Sequence, residues 1–283
     1  MMPAGTYRHY LGSRRATLLA ITLAALVSFW VLGLNPLRLF SGNNLTLTGD
    51  FLLSAFQPAL DYQKPVEGAE PFLLTVINTT LRTLRFALLA MSVAIPCGAL
   101  LALLASTAWW PDIRRHRMLG WVLRPLCLAS RAVMALARSI HELIWGLLFI
   151  TAMGLSTDAA IIAVAIPYSG ILAKIYSEMF EEHSREAQRA LQAIGAGSIA
   201  AFLAGLLPRA LPDLITYTFY RLECAVRTAA VFGFVGIETI GYRIKLASDE
   251  FHYREIWTYL YVLFAMIMVI EWWSRALRKR MDT

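Results

Sequence analysis

Long runs of apolar residues recur along the chain and are separated by polar or turn-rich stretches. Each run is close to the roughly 20 residues that an α-helix needs to cross a bilayer. The pattern therefore predicts an all-α integral membrane protein with about six transmembrane helices in one domain that covers residues 1–283. The predicted spans are 16–34, 84–105, 127–153, 158–177, 209–235 and 256–274.

The stretch 184–208, between the fourth and fifth predicted spans, has a different pattern. Good helix formers run from Arg185 to Ile194, glycines follow at 195 and 197, and a second helical run starts at Ser198. Pro208 predicts the end of that second run. The sequence thus predicts two short helices joined by a bend, outside the membrane.

Composition supports a membrane protein. Hydrophobic residues make up 58% of the chain and charged residues 16%, against about 45–50% and 25% in soluble domains. In so apolar a chain, the net charge of +7 reflects membrane topology. Membrane lipid is therefore the expected surrounding, and nucleic acid is not an expected partner. The three cysteines lie in apolar runs without metal-ligand spacing.

Lysine and arginine are distributed unequally between the two sides of the predicted six-helix topology. One side carries fourteen of them: Arg8, Arg14, Arg15, Arg114, Arg115, Arg117, Arg124, Arg185, Arg189, Arg209, Arg275, Arg278, Lys279 and Arg280. The other side carries five, or six if Arg82 is counted. Positively charged loops stay in the cytoplasm, so both termini and the segment 184–208 are predicted to be cytoplasmic.

Charged residues inside the predicted spans are the candidate functional groups, because each costs about 2.5–3.5 kcal/mol at a helix centre. The candidates for a substrate path or gate are Arg138, Glu142, Arg221, Glu223 and Arg227. Arg138 and Glu142 are four residues apart, as are Glu223 and Arg227, so each pair can meet on one helix face. Two interpretations stay open: the arginines line a path for an anion, or the pairs are salt bridges that fix the packing, with Arg131 extending to the membrane surface.

Catalytic and metal sites are not predicted. The sequence has no Gly-Lys-Ser/Thr phosphate loop, so hydrolysis of ATP is expected only on another chain. His141-Glu142 is not followed by a second histidine at metal spacing. His116 and His183 are predicted to lie solvated in cytoplasmic loops.

The bent segment resembles a known motif. Permease subunits of bacterial ABC importers carry a cytoplasmic loop that reads Glu-Ala-Ala, three residues, Gly, nine residues and Ile-x-Leu-Pro. Gly195 and the pair Leu207-Pro208 keep the spacing of that loop. The resemblance implies that this segment couples the permease to its ATPase.

Two positions of this loop depart from the motif. Gly205 stands where isoleucine is usual, and Arg189 stands at the position of the glutamate. The nearest glutamate, Glu186, lies one helical turn earlier and is followed by Ala187. The resemblance therefore implies an ATPase contact with altered chemistry, made by Glu186, Ala187, Arg189, Gly195, Leu207 and Pro208.

Further residues narrow the resemblance to the permeases of phosphonate importers, over roughly residues 70 to 275. They are Ser130-Arg131, Arg138 to Glu142, Arg221, Glu223, Val226 to Ala229, Val231, Gly233, Val235-Gly236 and Ile240-Gly241. Glu238 and Thr239 stand where this family commonly has glycines.

The resemblance implies a non-catalytic permease subunit in the bacterial inner membrane that acts as a homodimer with a central path. Its implied partners are an ABC ATPase dimer, which binds ATP and magnesium, and a periplasmic binding protein that delivers a phosphonate, phosphite or related phosphorus oxyanion. An alternative is a self-sufficient secondary transporter or channel for an anionic solute. That class favours internal repeats, and residues 1–140 and 141–283 show none. A membrane-bound enzyme would need a catalytic cluster, and the sequence has only scattered His and Glu.

Overall fold

The computed structural model describes residues 5–33, 42–64, 68, 70–110 and 117–281. These residues are predominantly helical, and none of them forms a strand. The α-helices are α1 Gly5–Val31, α2 Gly42–Ser54, α3 Phe72–Ala105, α4 Arg117–Ser139, α5 Glu142–Met153, α6 Thr157–Glu182, α7 Glu186–Ala193, α8 Ser198–Ala201, α9 Leu207–Phe232, α10 Ile240–Asp249 and α11 Tyr253–Met281. Six described helical stretches are long and apolar enough to cross a membrane, which confirms the all-α membrane fold.

The chain divides into two structural units. The first, residues 1–56, contains α1 and α2, and the described side chains of α1 are exposed from Arg14 onward. The second unit, residues 57–283, contains all the later helices and the candidate site. The helix α2 lies in the polar stretch between the first two predicted spans.

The core of the second unit is built on α3 and α6, which pack together along much of their length. Alanines provide most of their contact: Ala87, Ala90, Ala94 and Ala102 of α3, and Ala159, Ala160 and Ala163 of α6 are all fully buried. Small side chains let two helix backbones approach closely, which favours association in lipid. The two helices therefore form a rigid centre against which the other helices pack.

The predicted third span, 127–153, is not one helix. It is divided between α4, which ends at Ser139, and α5, which begins at Glu142. The break contains no proline or glycine. Side chains beside the break form hydrogen bonds with the backbone N–H and C=O groups that it leaves without a helical partner, and these bonds stabilise the break.

The predicted end of a helix at Pro208 is also wrong. α8 continues through a π-helical turn, Phe202–Leu206, directly into α9, so the path from Ser198 to Phe232 is continuous. Pro208 directly follows the π-helical turn, and a local π-helical adjustment of this kind lets a membrane helix tolerate proline. Only α7 is therefore a separate short helix in the bent segment.

Hydrogen bonds between helices mark the two opposite ends of the second unit. The carboxyl-terminal ends of α3 and α6 meet at one end, where the backbone N–H of Thr107 donates to Glu181 at 3.2 Å. The helix α7 packs at this same end. The amino-terminal end of α6 and the turn before α10 lie at the opposite end, where the backbone N–H of Ile240 donates to Thr83 at 2.9 Å.

Candidate functional site: a cationic cavity beside a broken helix

A cavity of about 400 Å³ lies between the end of α4 and the faces of α6 and α9. Its polar lining consists of Arg138, Ser139, Lys174, Tyr217 and Arg221, and these five residues define what we call the cationic cavity. Three helices contribute to it, so its composition depends on tertiary packing. The predicted candidates Arg138 and Arg221 line this cavity together, while Lys174 joins them from α6.

Two side chains stabilise the break between α4 and α5, which lies at the edge of this cavity. His141 caps α5, since its Nδ1 accepts a hydrogen bond from the N–H of Leu143 at 3.3 Å. Trp145 Nε1 donates to the carbonyl of Ala137 at 3.2 Å, which satisfies an acceptor freed at the end of α4. Irregular backbone within a membrane is stable where it is buried or lines a cavity, and Arg138 and Ser139 line the cavity at this break.

Arg221 is oriented by aromatic residues. Its Nε donates to the hydroxyl of Tyr217 at 2.9 Å. Its guanidinium carbon lies 5.4 Å from the ring centroid of Tyr217, 5.7 Å from Tyr220 and 5.9 Å from Tyr168. Such contacts stabilise a guanidinium without neutralising it. Four of the five N–H donors of this side chain remain for other acceptors.

Nearby carboxylates balance only part of the charge of the cationic cavity. Lys174 forms an ion pair with Glu178 of the same helix. Within the part of the chain that the structure describes, no carboxylate lies within 4 Å of the guanidinium nitrogens of Arg138 or Arg221. The cavity therefore presents two unpaired guanidinium groups on a wall that can bind an anion.

A smaller cavity of about 270 Å³ shares Arg138 and Lys174 with the cationic cavity and adds Arg131, Glu178 and Glu181. Here the charges are largely paired, and Arg131 Nη2 lies 3.0 Å from Glu181. Of the charged residues shared by the two cavities, Arg138, beside the break between α4 and α5, is the one without a carboxylate partner among the described residues.

Glu142 has a different partner from the one predicted. Because α4 ends before it, Glu142 does not pair with Arg138 across one helical turn, and that prediction is wrong. Thr228 donates its hydroxyl to Glu142 at 3.1 Å, and the hydroxyl of Tyr168 lies 3.0 Å from Thr228. Since Thr228 uses its one proton on the carboxylate, Tyr168 is the donor in the second bond.

Glu223 and Arg227 form the predicted ion pair on α9. Neither residue lines the cationic cavity, and neither does Glu142. The five charged candidates are therefore separated by packing: Arg138 and Arg221 lie at the cavity, while the other three have partners elsewhere. Their role in a substrate path stays a prediction.

The bent segment is held by one close backbone contact. Gly205 packs against α7, and a Cβ atom at this position would lie 2.8 Å from the nitrogen of Gln188 and 2.9 Å from its Cα. A larger side chain would push α7 away. The glycine at the motif's usual isoleucine position is thus required by this packing. Gly195, with a φ of +97°, forms the turn that ends α7.

Gln188 was not found by sequence reasoning. It is 4% exposed, and its Nε2 donates to the carbonyl of Ala108 at 2.7 Å, which ties α7 to the segment after α3. A polar residue one turn before the half-buried Leu191, on the inner face of an amphipathic helix, is the signal that could have identified it. Gln188 and Gly205 together fix the position of α7.

Arg131 and His183 join helix ends near α7, and His183, which was predicted to lie solvated, is only partly exposed. Arg131 Nε donates to the carbonyl of Ala105 at 3.1 Å, in addition to its ion pair with Glu181. His183 Nδ1 lies 2.7 Å from the carbonyl of Met179, and its Nε2 lies 3.1 Å from a carboxylate oxygen of Asp213. His183 therefore connects α6 to α9. His116 lies outside the described residues.

The predicted coupling residues differ in exposure. Glu186, Arg189, Gly195 and Pro208 are exposed, whereas Ala187 and Leu207 are half-buried. Two apolar residues beside them are also exposed, with Ile194 at 82% and Ile199 at 60%. The bent segment thus combines a buried face that packs on the bundle with an exposed face of mixed charge and apolar character.

Helical topology, a short bent segment at one end and an open cationic cavity among the helices are typical of a membrane transport subunit. The chain belongs to the family described as binding-protein-dependent transport system inner membrane component, which matches residues 74–283. The fold is similar to that of a chain in inward-facing structures of the MetNI methionine ABC transporter, with a TM-score of 0.62 and 19% identity. That likeness covers 75% of this chain and 99% of the other.

Two relatives from Stutzerimonas stutzeri are named for phosphite transport. HtxE is 35% identical over 153 residues, which cover 54% of this chain and 59% of HtxE. The phosphite transport system permease protein PtxC is 29% identical over 150 residues, which cover 53% of this chain and 54% of PtxC. The matches thus span a little over half the length of these two relatives.

Proposed function

We propose that this chain is the permease subunit of an ATP-driven importer and moves a phosphorus oxyanion, such as a phosphonate or phosphite, into the cell. The observation that carries the proposal is the pair of guanidinium groups, Arg138 and Arg221, that face one cavity without a carboxylate partner among the described residues. Guanidinium groups match the geometry and charge of phosphorus oxyanions. The names of the two relatives support the same class of cargo.

A second permease subunit, most simply a second copy of this chain, is proposed to cover the cavity. Arg138 and Lys174 line an open surface of a helix bundle that has spans of membrane length. Each charge left in hydrocarbon would cost about 2.5–3.5 kcal/mol on insertion scales. A homodimer with its two-fold axis beside the cavity would enclose these charges in a central path.

The ATPase is proposed to bind the exposed face of the bent segment, with Glu186, Arg189, Ile194 and Ile199 as its contacts. ATP and magnesium would bind to that partner. Gln188 and Gly205 would transmit its motion, because they fix α7 to the bundle. This arrangement implies an inner-membrane protein with cytoplasmic termini, supplied by a periplasmic binding protein.

To test the proposed function, this chain is co-expressed with its genomic neighbours and purified, and the masses of the subunits that stay bound to it are measured. Two ATPase chains with two permeases, and uptake of phosphite only with ATP, are the expected results. Recovery of this chain alone, with uptake in vesicles that lack nucleotide, would contradict the proposal and favour a secondary transporter.

The cavity is tested with a matched pair of substitutions in that complex. Arg221→Gln removes a guanidinium that lines the cavity, whereas Arg227→Gln removes one that is already paired with Glu223. A hydrogen bond to a charged group contributes about 1.5–3 kcal/mol, so we expect uptake by the first variant to fall about tenfold or more. The second variant should transport nearly normally. Equal effects would contradict the assignment of the path to the cationic cavity.

A further inference from the structure

A second cavity with positive charge lies at the end of the bundle opposite α7. Its volume is about 260 Å³, and its polar lining consists of Arg82, Arg85, Thr157, Glu238 and Thr239. We call it the Glu238 cavity. It is separate from the cationic cavity, with which it shares no lining residue.

The two arginines of the Glu238 cavity are three residues apart on α3, so they lie on one helix face. Arg82 forms an ion pair with Glu238. Within the described part of the chain, no carboxylate lies within 4 Å of the guanidinium nitrogens of Arg85. The cavity therefore holds two guanidinium groups but only one carboxylate.

The ion pair between Arg82 and Glu238 is open to exchange. The two side chains are 54% and 65% exposed, respectively. Exposed ion pairs contribute little stability, about 0–1 kcal/mol, because water solvates both charges after separation. A second anion that approaches Arg82 and Arg85 can therefore replace the carboxylate without a large loss of stability.

The turn beside the cavity is held against α3. The N–H of Ile240 donates to the buried hydroxyl of Thr83 at 2.9 Å, which fixes the turn that carries Glu238 and Thr239. The hydroxyl oxygen of Thr239 is itself buried, and no described protein atom forms a hydrogen bond with it. Thr157, the first residue of α6, is exposed and lines the cavity. A hydroxyl group next to two guanidinium groups suits an oxyanion with several acceptor oxygens.

We propose that the Glu238 cavity is a second site for a phosphorus oxyanion, in which the carboxylate of Glu238 occupies Arg82 until the anion displaces it. The inference rests on the proposed function, since it concerns the same class of cargo. The incoming anion pairs with Arg82 and Arg85, and Glu238 turns toward solvent. Such a site would hold the cargo at the end of the bundle opposite the ATPase contact.

The experiment measures the binding of sodium phosphite to the whole complex by calorimetry, in detergent free of phospholipid. An Arg221→Gln background reduces the contribution of the cationic cavity. Glu238→Gln should tighten binding up to about fivefold, because the exposed internal competitor loses its charge, and Arg85→Gln should weaken it about tenfold. Glu223→Gln, which removes the carboxylate of an ion pair within α9 and outside the cavity, is the control.

A lipid headgroup carries the same phosphate chemistry, so a second arm uses complex extracted with anionic phospholipid. Native mass spectrometry reports whether lipid is retained in the complex. Loss of that lipid on addition of phosphite, in the parent but not in Arg85→Gln, would support a site for the soluble anion. Retention that depends on Arg85 and resists phosphite would assign the same site to lipid and overturn the assignment to cargo.

Unchanged phosphite binding in both Glu238→Gln and Arg85→Gln would overturn the site. Thermal unfolding of each variant verifies that the fold is intact. ATP-driven uptake of phosphite by the otherwise unsubstituted complex separates this failure from failure of the proposed function. Normal uptake together with unchanged binding would contradict only the assignment of the Glu238 cavity as a binding site. No uptake of phosphorus oxyanions would contradict the proposed cargo itself.

Discussion

Two apolar stretches of this chain behave in opposite ways. The stretch from α4 to α5 contains no proline or glycine at residues 139–142, yet its helix breaks there. The stretch from α8 to α9 contains Pro208 and Pro212, yet it stays helical from Ser198 to Phe232. Intrinsic helix preference would predict the reverse. The continuity of a helix in this bundle is decided by whether freed backbone groups find partners.

Each stretch shows where those partners come from. At the break, His141 and Trp145 bind a backbone N–H and a carbonyl that would otherwise be unpaired. Before α9, the π-helical turn shifts the hydrogen bonds, and the N–H of Leu207 donates to the carbonyl of Phe202. Phe202 is anchored against Phe180 of α6, with 5.3 Å between ring centroids. Tertiary contacts thus stabilise both irregularities.

The largest effect is expected from Gly205→Ile in the continuous stretch. The new side chain would overlap the backbone of α7 at Gln188, and overpacking of this kind typically costs about 1–3 kcal/mol, sometimes more. We expect α7 to detach and ATPase recovery to fall about tenfold, as measured by co-purification, since a loss of 1.4 kcal/mol is a tenfold change in an equilibrium.

The matched control for that prediction is Gly197→Ala. Nothing lies within 4 Å of a Cβ atom at this position, and its φ of −63° suits any residue. It should bind the ATPase normally. Normal ATPase binding by Gly205→Ile would mean that contact with α7 does not determine the bend.

A smaller effect is expected at the break, from Trp145→Phe. The ring is retained, but the carbonyl of Ala137 loses its donor. A buried acceptor without a partner costs about 1–3 kcal/mol. We expect lower thermal stability and faster amide exchange at the end of α4. Trp121→Phe is the control, because Trp121 lies on α4 and is 79% exposed. This variant should change neither the thermal stability nor the amide exchange. Equal exchange in both variants would contradict the role of Trp145.

Sequence reasoning was accurate for features that depend on a single helical segment. The apolar lengths predicted the number of candidate spans, and a spacing of four residues predicted the pair of Glu223 with Arg227. It failed where partners came from other helices. The burial of Gln188 against Ala108 and the position of Lys174 beside Arg221 depend on packing among several helices. Periodicity within one segment does not contain that information.

The smallest effect is expected from Pro208→Ala. Proline in a helix interior costs about 3 kcal/mol, mainly through a lost hydrogen bond and a clash with the preceding turn. Pro208 avoids most of this cost because it is exposed in the first turn of α9, directly after the π-helical turn. The substitution should therefore change the free energy of unfolding by less than about 1 kcal/mol. Pro212→Ala, one turn further into α9, provides the comparison. Stabilisation by several kcal/mol in Pro208→Ala alone would mean that this proline strains the stretch, and that partners do not by themselves decide where helices in this bundle continue.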